Sequence, residues 1–366
     1  MATSFRAASD SRVVVGLSGG VDSAVAAMLL QAEGYEVIGV YLKIPHASPL
    51  ADSAKCVAEQ LGVPLHAIDV HDVFTKNVIH YFVESYAAGL TPNPCIKCNE
   101  TVKFSTLLAV ADEVGARWVA TGHYAGIERL ENNASHVLLR GVDENKDQSY
   151  MLYRLPESIL GRLLLPVGTL RKQQVRAMAE DSGLHIRHKG ESQDICFIPD
   201  KDLTGFLAEY ALPNNRGRVL HSDGRTLGWH EGYWRYTVGQ RKGVGISGGQ
   251  RLYVTAISAE ENIVTLGGRD EMLTSRINVA DLHFGGAFTS FDADAKPKRV
   301  SVKTRFERSD FWATLYARGD LVQVQFDHPQ RKPAMGQSAV FYDGVRVLGG
   351  GIVVSSNESS SSESSS

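Results

Sequence analysis

Residues 13–23, VVVGLSGGVDS, carry an apolar strand straight into a turn of small residues, and the stretch AVAAMLLQAEG that follows reads as a helix. A strand that meets a glycine-rich turn at the mouth of a helix commits a chain to βα units, which stack into parallel sheets. The next segments keep that rhythm: YEVIGVYLK (35–43), SAKCVAEQLG, VPLHAIDV (63–70) and later ARWVATGHY (116–124). This alternation predicts an α/β doubly wound parallel sheet. Between its strands lie a helical stretch, FTKNVIHYFVESYAAG (74–89), a proline-stiffened loop, PNPCIKCNE (92–100), and a helix around KFSTLLAVADEVGA.

Past about residue 206 the texture changes to Gly-rich turns and short alternating segments such as RVLHSDG, RLYVTAIS and NIVTLGG. A polar link, FDADAKPKR, then precedes RVSVKTRF, FWATLYA, LVQVQFD, SAVFYDG and VRVLGGGIVV. Short strands at close spacing predict β domains. The expected organisation is a catalytic α/β domain over 1–206, a small central β domain over 207–285, a β barrel over 286–356 and a disordered Ser-rich tail over 357–366. A chain of 366 residues is too long for one ordinary core, which agrees with that division. With 43% hydrophobic and 22% charged residues and no apolar run of bilayer length, the expected location is the cytoplasm. The opening MATSFRAASDSR lacks an apolar core and reads as a loose terminus, not a signal peptide.

The net charge is −3; Glu358 and Glu363 in the tail supply two of the negative charges, which leaves the body near −1. Nucleic-acid binding would therefore have to come from local patches. Four cysteines, Cys56, Cys95, Cys98 and Cys196, are too few for a disulfide scaffold and become candidates for chemistry. Cys56 sits at helical spacing among apolar neighbours and is expected in the core.

Within GLSGGVDS (16–23), backbone N–H groups and a helix dipole can jointly hold an anion. Gly19 and Gly20 let phosphate oxygens approach the main chain, Ser18 and Ser23 add hydroxyls, and Asp22 is placed to hold Mg²⁺ or to cap the helix. The loop is neither GK[ST] nor GxGxxG, which excludes a Walker loop and weakens a dinucleotide reading. SGGVDS resembles the PP-loop of ATP pyrophosphatases, enzymes that cleave ATP between the α and β phosphates and adenylate a carbonyl oxygen.

The stretches PNPCIKCN, ATGHYAG, NKDQSYMLY, LLLPVGTLRKQQVR, ESQDICFI, YTVGQRKGVGI and GQSAVFYDG occur in that order between residues 92 and 344. Together they resemble the tRNA-specific 2-thiouridylases, which replace the C2 oxygen of the wobble uridine by sulfur. The resemblance implies that ATP is bound by Gly16, Leu17, Ser18, Gly19, Gly20, Val21, Asp22 and Ser23, with Leu42 and Gly122 beside the nucleotide. It implies a persulfide on Cys196, a nucleophilic role for Cys98 and a transient disulfide between the two. A basic, phosphate-binding cleft would lower the thiol pKa values. The resemblance further implies tRNA contacts at Asn93, His123, Lys146, Asp147, Gln148, Arg305, Phe306 and Gln337, and acceptors specific for Lys, Glu and Gln. At 305–306 the family has Arg-Tyr, so Phe306 keeps a stacking face without the hydroxyl. Arg241 and Lys242, flanked by Trp234 and Tyr236, would suit a phosphate contact beside a stacking surface.

In much of that family the first cysteine of PNPCIKCN is an aspartate; here it is Cys95. Three thiols, Cys95, Cys98 and Cys196, would suit a [4Fe–4S] cluster with one iron left open to bind hydrosulfide. The alternatives are persulfide chemistry with Cys95 as a bystander, or zinc with His123 as fourth ligand, against which the missing second CxxC argues. The sulfur donor would be a cysteine desulfurase, a relay protein or free sulfide. Two other functions compete. A PP-loop ligase or amidotransferase acting on a small molecule would need no thiols. A non-catalytic tRNA-binding protein would not need an intact SGGVDS.

Overall fold

The computed structural model describes residues 11–45, 50–131, 135–184, 195–210, 212, 214–245, 251–285, 288, 291, 296–306 and 310–355. Residues 1–10 of the opening read above as loose, the tail over 357–366 and the residues Glu191 to Asp194 of ESQDICFI lie outside this set, whereas Arg12 of that opening begins the first strand.

Strand β1 (Arg12–Gly16) leads into α1 (Val21–Ala32), followed by β2 (Glu36–Lys43), α2 (Leu50–Leu61) and β3 (Leu65–Asp69). A helical run then passes through α3 (His71–Phe74), a π-helical turn at Thr75–Ile79 and α4 (His80–Ala87). Helix α5 (Pro94–Cys98) continues through a second π-helical turn, Asn99–Lys103, into α6 (Phe104–Glu113), and β4 (Trp118–Ala120) re-enters the sheet. After the hairpin β5 (Ala125–Arg129) and β6 (His136–Arg140) come α7 (Ser149–Leu152), α8 (Glu157–Leu160), β7 (Leu163–Leu164), α9 (Lys172–Asp181) and α10 (Leu203–Ala208).

The first sheet has the order β3-β2-β1-β4-β7, and its pairs are parallel. Val13, Val14 and Val15 of the central β1 are wholly buried, which explains why that strand is uniformly apolar: both faces are covered. From β1 the chain winds one way through β2 and β3 and later the other way through β4 and β7. The direction reverses between β1 and β4, the place where open α/β sheets form a crevice at their carboxyl ends. Residues 16–23 and Gly122 lie there.

In the central domain β8 (Gly217–His221), β9 (Thr226–His230), β10 (Tyr253–Ser258) and β11 (Ile263–Gly267) form a sheet ordered β10-β11-β8-β9. Its Val219, Val254, Val264 and Leu266 share one core with Phe74, Phe82, Phe197 and Phe206 of the first domain. Trp234 belongs to that core and is 1% exposed, so it cannot be the stacking surface expected beside Arg241 and Lys242. Arg235 lies over its ring at 4.5 Å.

The last domain comprises β12 (Leu273–Phe284), β13 (Lys298–Lys303), β14 (Phe311–Arg318), β15 (Leu321–Arg331), β16 (Ser338–Asp343) and β17 (Arg346–Val354). Strand β12 pairs with β15 on one side and β17 on the other, which closes the sheet into a barrel. A division at 285/286 is thereby corrected, because it strands β12 in the central domain when its hydrogen bonds belong to the barrel. Sequence texture misplaced it since the polar link falls after β12, inside the barrel, and not before it.

The domains are tied together near the crevice. The β5–β6 hairpin of the first domain extends the barrel sheet through the pairing of Leu139 with Arg346. Asp147 accepts a 2.9 Å hydrogen bond from Lys303 of β13, and the two side chains are only 2% and 5% exposed. The Tyr150 hydroxyl donates to the Ser338 carbonyl at 2.9 Å, and the Thr91 N–H to the Met335 carbonyl at 2.8 Å. No helix among the described residues is long and apolar enough to cross a membrane.

Candidate active site

The phosphate loop is held open by its own hydroxyls. The Ser18 N–H donates to Ser23 Oγ at 3.2 Å, and Ser23 Oγ donates to the Gly20 carbonyl at 3.0 Å. Gly19 has φ +76°, a left-handed conformation that glycine adopts without strain, and a Cβ there would stand 2.7 Å from Ser53. At Gly122 a Cβ would come within 2.5 Å of the Asp22 carbonyl carbon and 2.6 Å of the Ser23 nitrogen. The ATGHY segment thus presses its backbone onto the loop, and only glycine fits. Leu17 is 1% exposed and can serve a ligand through its main chain alone, whereas Leu42 at the end of β2 is half-buried. Gly16 backs onto Leu107 and Thr121, and Val21 is half-buried at the first position of α1.

Asp22 does not cap α1: the N-cap is Gly20, with no side-chain cap bond. Its carboxylate instead receives Lys172 Nζ on both oxygens at 2.7 Å and the Tyr124 hydroxyl on Oδ1 at 2.6 Å. A single carboxylate at a phosphate loop fits the way Mg²⁺ is usually bound with nucleotides, through one or two carboxylates plus phosphate oxygens. Asp22 is the residue that would hold it.

Cys95 and Cys98 stand on a helix and not in a loop, which corrects the expectation for PNPCIKCNE. Asn93 is the N-cap: its Oδ1 accepts from the N–H groups of Cys95 (3.1 Å) and Ile96 (3.4 Å), and Pro94 occupies the first helical position. At this i, i+3 spacing the two thiols share a face. The π-helical turn that follows brings the Lys103 N–H to the Cys98 sulfur. Such turns recur at functional sites.

Cys196, nearly a hundred residues further on, joins them. Its thiol is pushed up to about 12, first by burial of the sulfur and then by the negative charges that Cys95 and Cys98 would carry. Burial also raises Cys95 and Cys98, and the Lys103 ammonium opposes the rise at all three. The residues keep some solvent-facing surface, Cys95 and Cys196 more than Cys98, while the atoms packed around each sulfur still desolvate it. The expectation of lowered thiol pKa values is therefore overturned: one lysine does not outweigh desolvation. Among the described residues no three Cys, His, Asp or Glu side chains are grouped to hold a metal ion, so the cysteines do not fit a preformed cluster or zinc site. Cys56 is exposed and accepts from Gln60 Nε2 at 3.0 Å, because α2 turns Ala54, Val57 and Ala58 to the core instead.

Between the loop and the thiols lies His123. Lys103 Nζ is 3.5 Å from Nε2 and Thr121 Oγ1 is 2.7 Å from Nδ1. An ammonium can only donate, so Nε2 accepts and Nδ1–H donates to Thr121. Burial and the Lys103 charge hold the imidazole pKa well below its usual value, which keeps the ring neutral.

The residues expected at tRNA are spread between surface and structural tasks. Phe306 is 46% exposed, with Arg305 half-buried beside it. Lys146 is half-buried in a turn whose N–H bonds to the Asp143 carbonyl. Asp147 is a correction: its buried carboxylate accepts from Gly141 N, Ser149 N and Lys303 and has no face for RNA. Gln148 Oε1 accepts from the Tyr124 N–H at 2.9 Å, and Gln337 Nε2 donates to the Thr91 carbonyl at 2.8 Å, binding the barrel to the strap before the cysteine helix. The Asn93 side chain is used in capping. Sequence reasoning missed Lys103, Thr121, Tyr124 and Lys172. The signal for Lys103 was a lone cation five residues after Cys98, and that for Lys172 a lysine inside LRKQQVR.

A parallel sheet, a glycine-rich loop at its switch point and a carboxylate at the helix mouth define a PP-loop enzyme that uses ATP. Three family descriptions match in succession: a tRNA methyl transferase HUP domain over 11–200, a tRNA methyl transferase PRC-barrel domain over 204–268 and an aminomethyltransferase β-barrel domain over 275–353. The chain belongs to the family of tRNA-specific 2-thiouridylases. It is 42% identical to the tRNA-specific 2-thiouridylase MnmA of Acetivibrio thermocellus, over 94% of this chain and 99% of that protein. The corresponding proteins of Clostridium acetobutylicum (40%, over 94% and 99%) and Syntrophotalea carbinolica (42%, over 93% and 98%) are similar along their whole length.

Proposed function

We propose that this protein uses ATP to replace the C2 oxygen of the wobble uridine of tRNA by sulfur. The observation that carries the reading is the loop shaped by Gly19 and Gly122 at the crevice of the parallel sheet, in the same domain as a capped helix that carries Cys95 and Cys98 on one face. The uridine O2 attacks the α-phosphorus as N3 gives up its proton, and the bond to the β-phosphate breaks with its electron pair leaving on pyrophosphate. The terminal sulfur of a Cys196 persulfide then bonds to C2, and the C2–O bond breaks with AMP as leaving group. Cys98 attacks the Cys196 Sγ, which leaves the transferred sulfur on C2 and forms a Cys98–Cys196 disulfide. A thiol reductant must open that disulfide before the next turnover. Acceptors for Lys, Glu and Gln and a cytoplasmic location complete the proposal, with a desulfurase or relay protein delivering sulfur already at the persulfide level, or sulfide attacking Cys196 of the Cys98–Cys196 disulfide so that Cys98 leaves as thiolate.

A second reading, with Cys95, Cys98 and Cys196 holding a [4Fe–4S] cluster, requires the three thiols to draw together beyond their present arrangement, which forms no metal-holding group among the described residues. The experiment incubates the protein with tRNA, Mg²⁺-ATP and sulfide or a desulfurase, and follows pyrophosphate and 2-thiouridine. Pyrophosphate release that depends on tRNA, with thiolation lost on Cys196→Ser, supports the proposal. Release driven by a small amine without tRNA would instead make the chain a ligase, and tRNA binding without any release a non-catalytic binder. Iron and acid-labile sulfide, assayed without oxygen on wild type and Cys95→Asp, separate the cluster from the persulfide.

A further inference from the structure

The first turn of α1 presents an electrostatic contradiction. A helix N-terminus behind a glycine loop attracts anions, but here it carries a carboxylate, Asp22, that repels them. The compensating charge comes from elsewhere in the fold. Lys172 is the first residue of α9, and its ammonium lies 2.7 Å from both Asp22 oxygens with the side chain only 14% exposed. Three contacts fix it there. Its main-chain N–H donates to Asp143 at 2.9 Å, its ammonium lies 5.8 Å from the Tyr124 ring, and α9 packs on α1 through Val175 and Ala179 against Val25 and Ala26.

We propose that Lys172 is a phosphate-binding residue of the nucleotide site, held on Asp22 until a triphosphate takes its ammonium. This rests on the phosphate-loop reading and adds a residue to it. An ammonium has three donors, more than one carboxylate uses, and its flexible stem lets it turn between neighbouring anions. A nucleotide arriving with Mg²⁺ brings a cation for Asp22 and phosphate oxygens for Lys172, so each partner of the resting pair receives a new one and neither charge is left alone. Asp22 thereby keeps the ammonium placed at an empty loop. The β and γ phosphates, more than the nucleoside, would hold Lys172.

The test compares ATP with AMP by calorimetric titration of the full chain in Mg²⁺ buffer. Lys172→Met should weaken ATP about 10- to 100-fold, the size of one charge-assisted phosphate contact, and change AMP by less than about 2-fold. Lys172→Arg should recover most of the loss. Equal weakening of ATP and AMP would make Lys172 a structural prop for Asp22, and no weakening would remove it from the site; either overturns the proposal. Should Lys172→Met fail to fold, Asp22→Asn in EDTA provides the complementary reading, because it leaves the ammonium unspent. ATP affinity should then rise while AMP stays constant, and a fall in ATP affinity would overturn the proposal. Wild-type protein that binds no ATP would sink the phosphate-loop reading itself.

Discussion

Around Asp22, three bonds of 2.6 to 2.7 Å and a glycine contact too close for any Cβ fix the loop before a ligand arrives. Around Cys98 no such set of short bonds joins the thiols among the described residues; burial keeps them protonated, and the Lys103 ammonium pulls the other way. The first region is preorganised for its chemistry; the second is held in reserve. A thiolate that formed readily would react with any electrophile, whereas a protonated thiol waits for a change in its surroundings. ATP activation and sulfur transfer therefore differ in how much of the work the resting fold has already done.

The contrast breaks most directly by removing each region in turn. Asp22→Ala should lower tRNA-dependent pyrophosphate release by at least about 100-fold while tRNA affinity in a filter assay stays within about 3-fold. Cys98→Ser or Cys196→Ser should do the reverse, abolishing 2-thiouridine in nucleoside digests while pyrophosphate release persists. Persistent thiouridine in either variant would remove that cysteine from the mechanism. Next in size, Lys103→Met removes the one charge among the described residues that favours all three thiolates. Single-turnover thiolation should fall about 10-fold at neutral pH, recover as the pH is raised by about one unit, and leave pyrophosphate release unchanged. In the wild type, thiolation should climb with pH up to about 9 without a plateau, because the raised thiols gain thiolate throughout that range. Pyrophosphate release measured alongside should not follow that slope.

The smallest effect concerns His123. Its folded pKa is lowered, so the unfolded chain takes up the proton first, and stability present above about pH 6.5 is lost as the pH falls through that value. The melting temperature of the wild type should drop more between pH 7 and 5 than that of His123→Asn, each kcal/mol amounting to about 2–4 °C. Equal slopes would show that His123 carries no such linkage.

What was legible in the sequence follows the reach of the forces involved. GLSGGVDS could be read because its geometry is local: a left-handed glycine, two hydroxyls and a helix start within eight residues. The cysteine helix was misread although its signal was equally local, since Asn-Pro is an N-cap followed by a first-turn proline. Non-local facts were beyond reach. Nothing near Asp147 announces that Lys303, 156 positions away, neutralises it, and nothing near Trp234 says that first-domain phenylalanines bury it. The thiol pKa values were misjudged for the same reason: a cation in the neighbourhood is visible in sequence, but the packing that desolvates a sulfur is not.

The seam between the first domain and the barrel bears on how such a chain can be cut. A fragment ending near residue 206 would keep Asp147 without Lys303, and the β5–β6 hairpin without the strand that continues its sheet. Removing one partner of a buried pair costs up to about 3–5 kcal/mol, a large part of what holds a domain folded, and the Gly141 and Ser149 N–H groups and Arg140 at 3.8 Å offset only part of it. Texture along the sequence suggests three exchangeable modules, but the chain has to be synthesised, swapped or inherited as one piece.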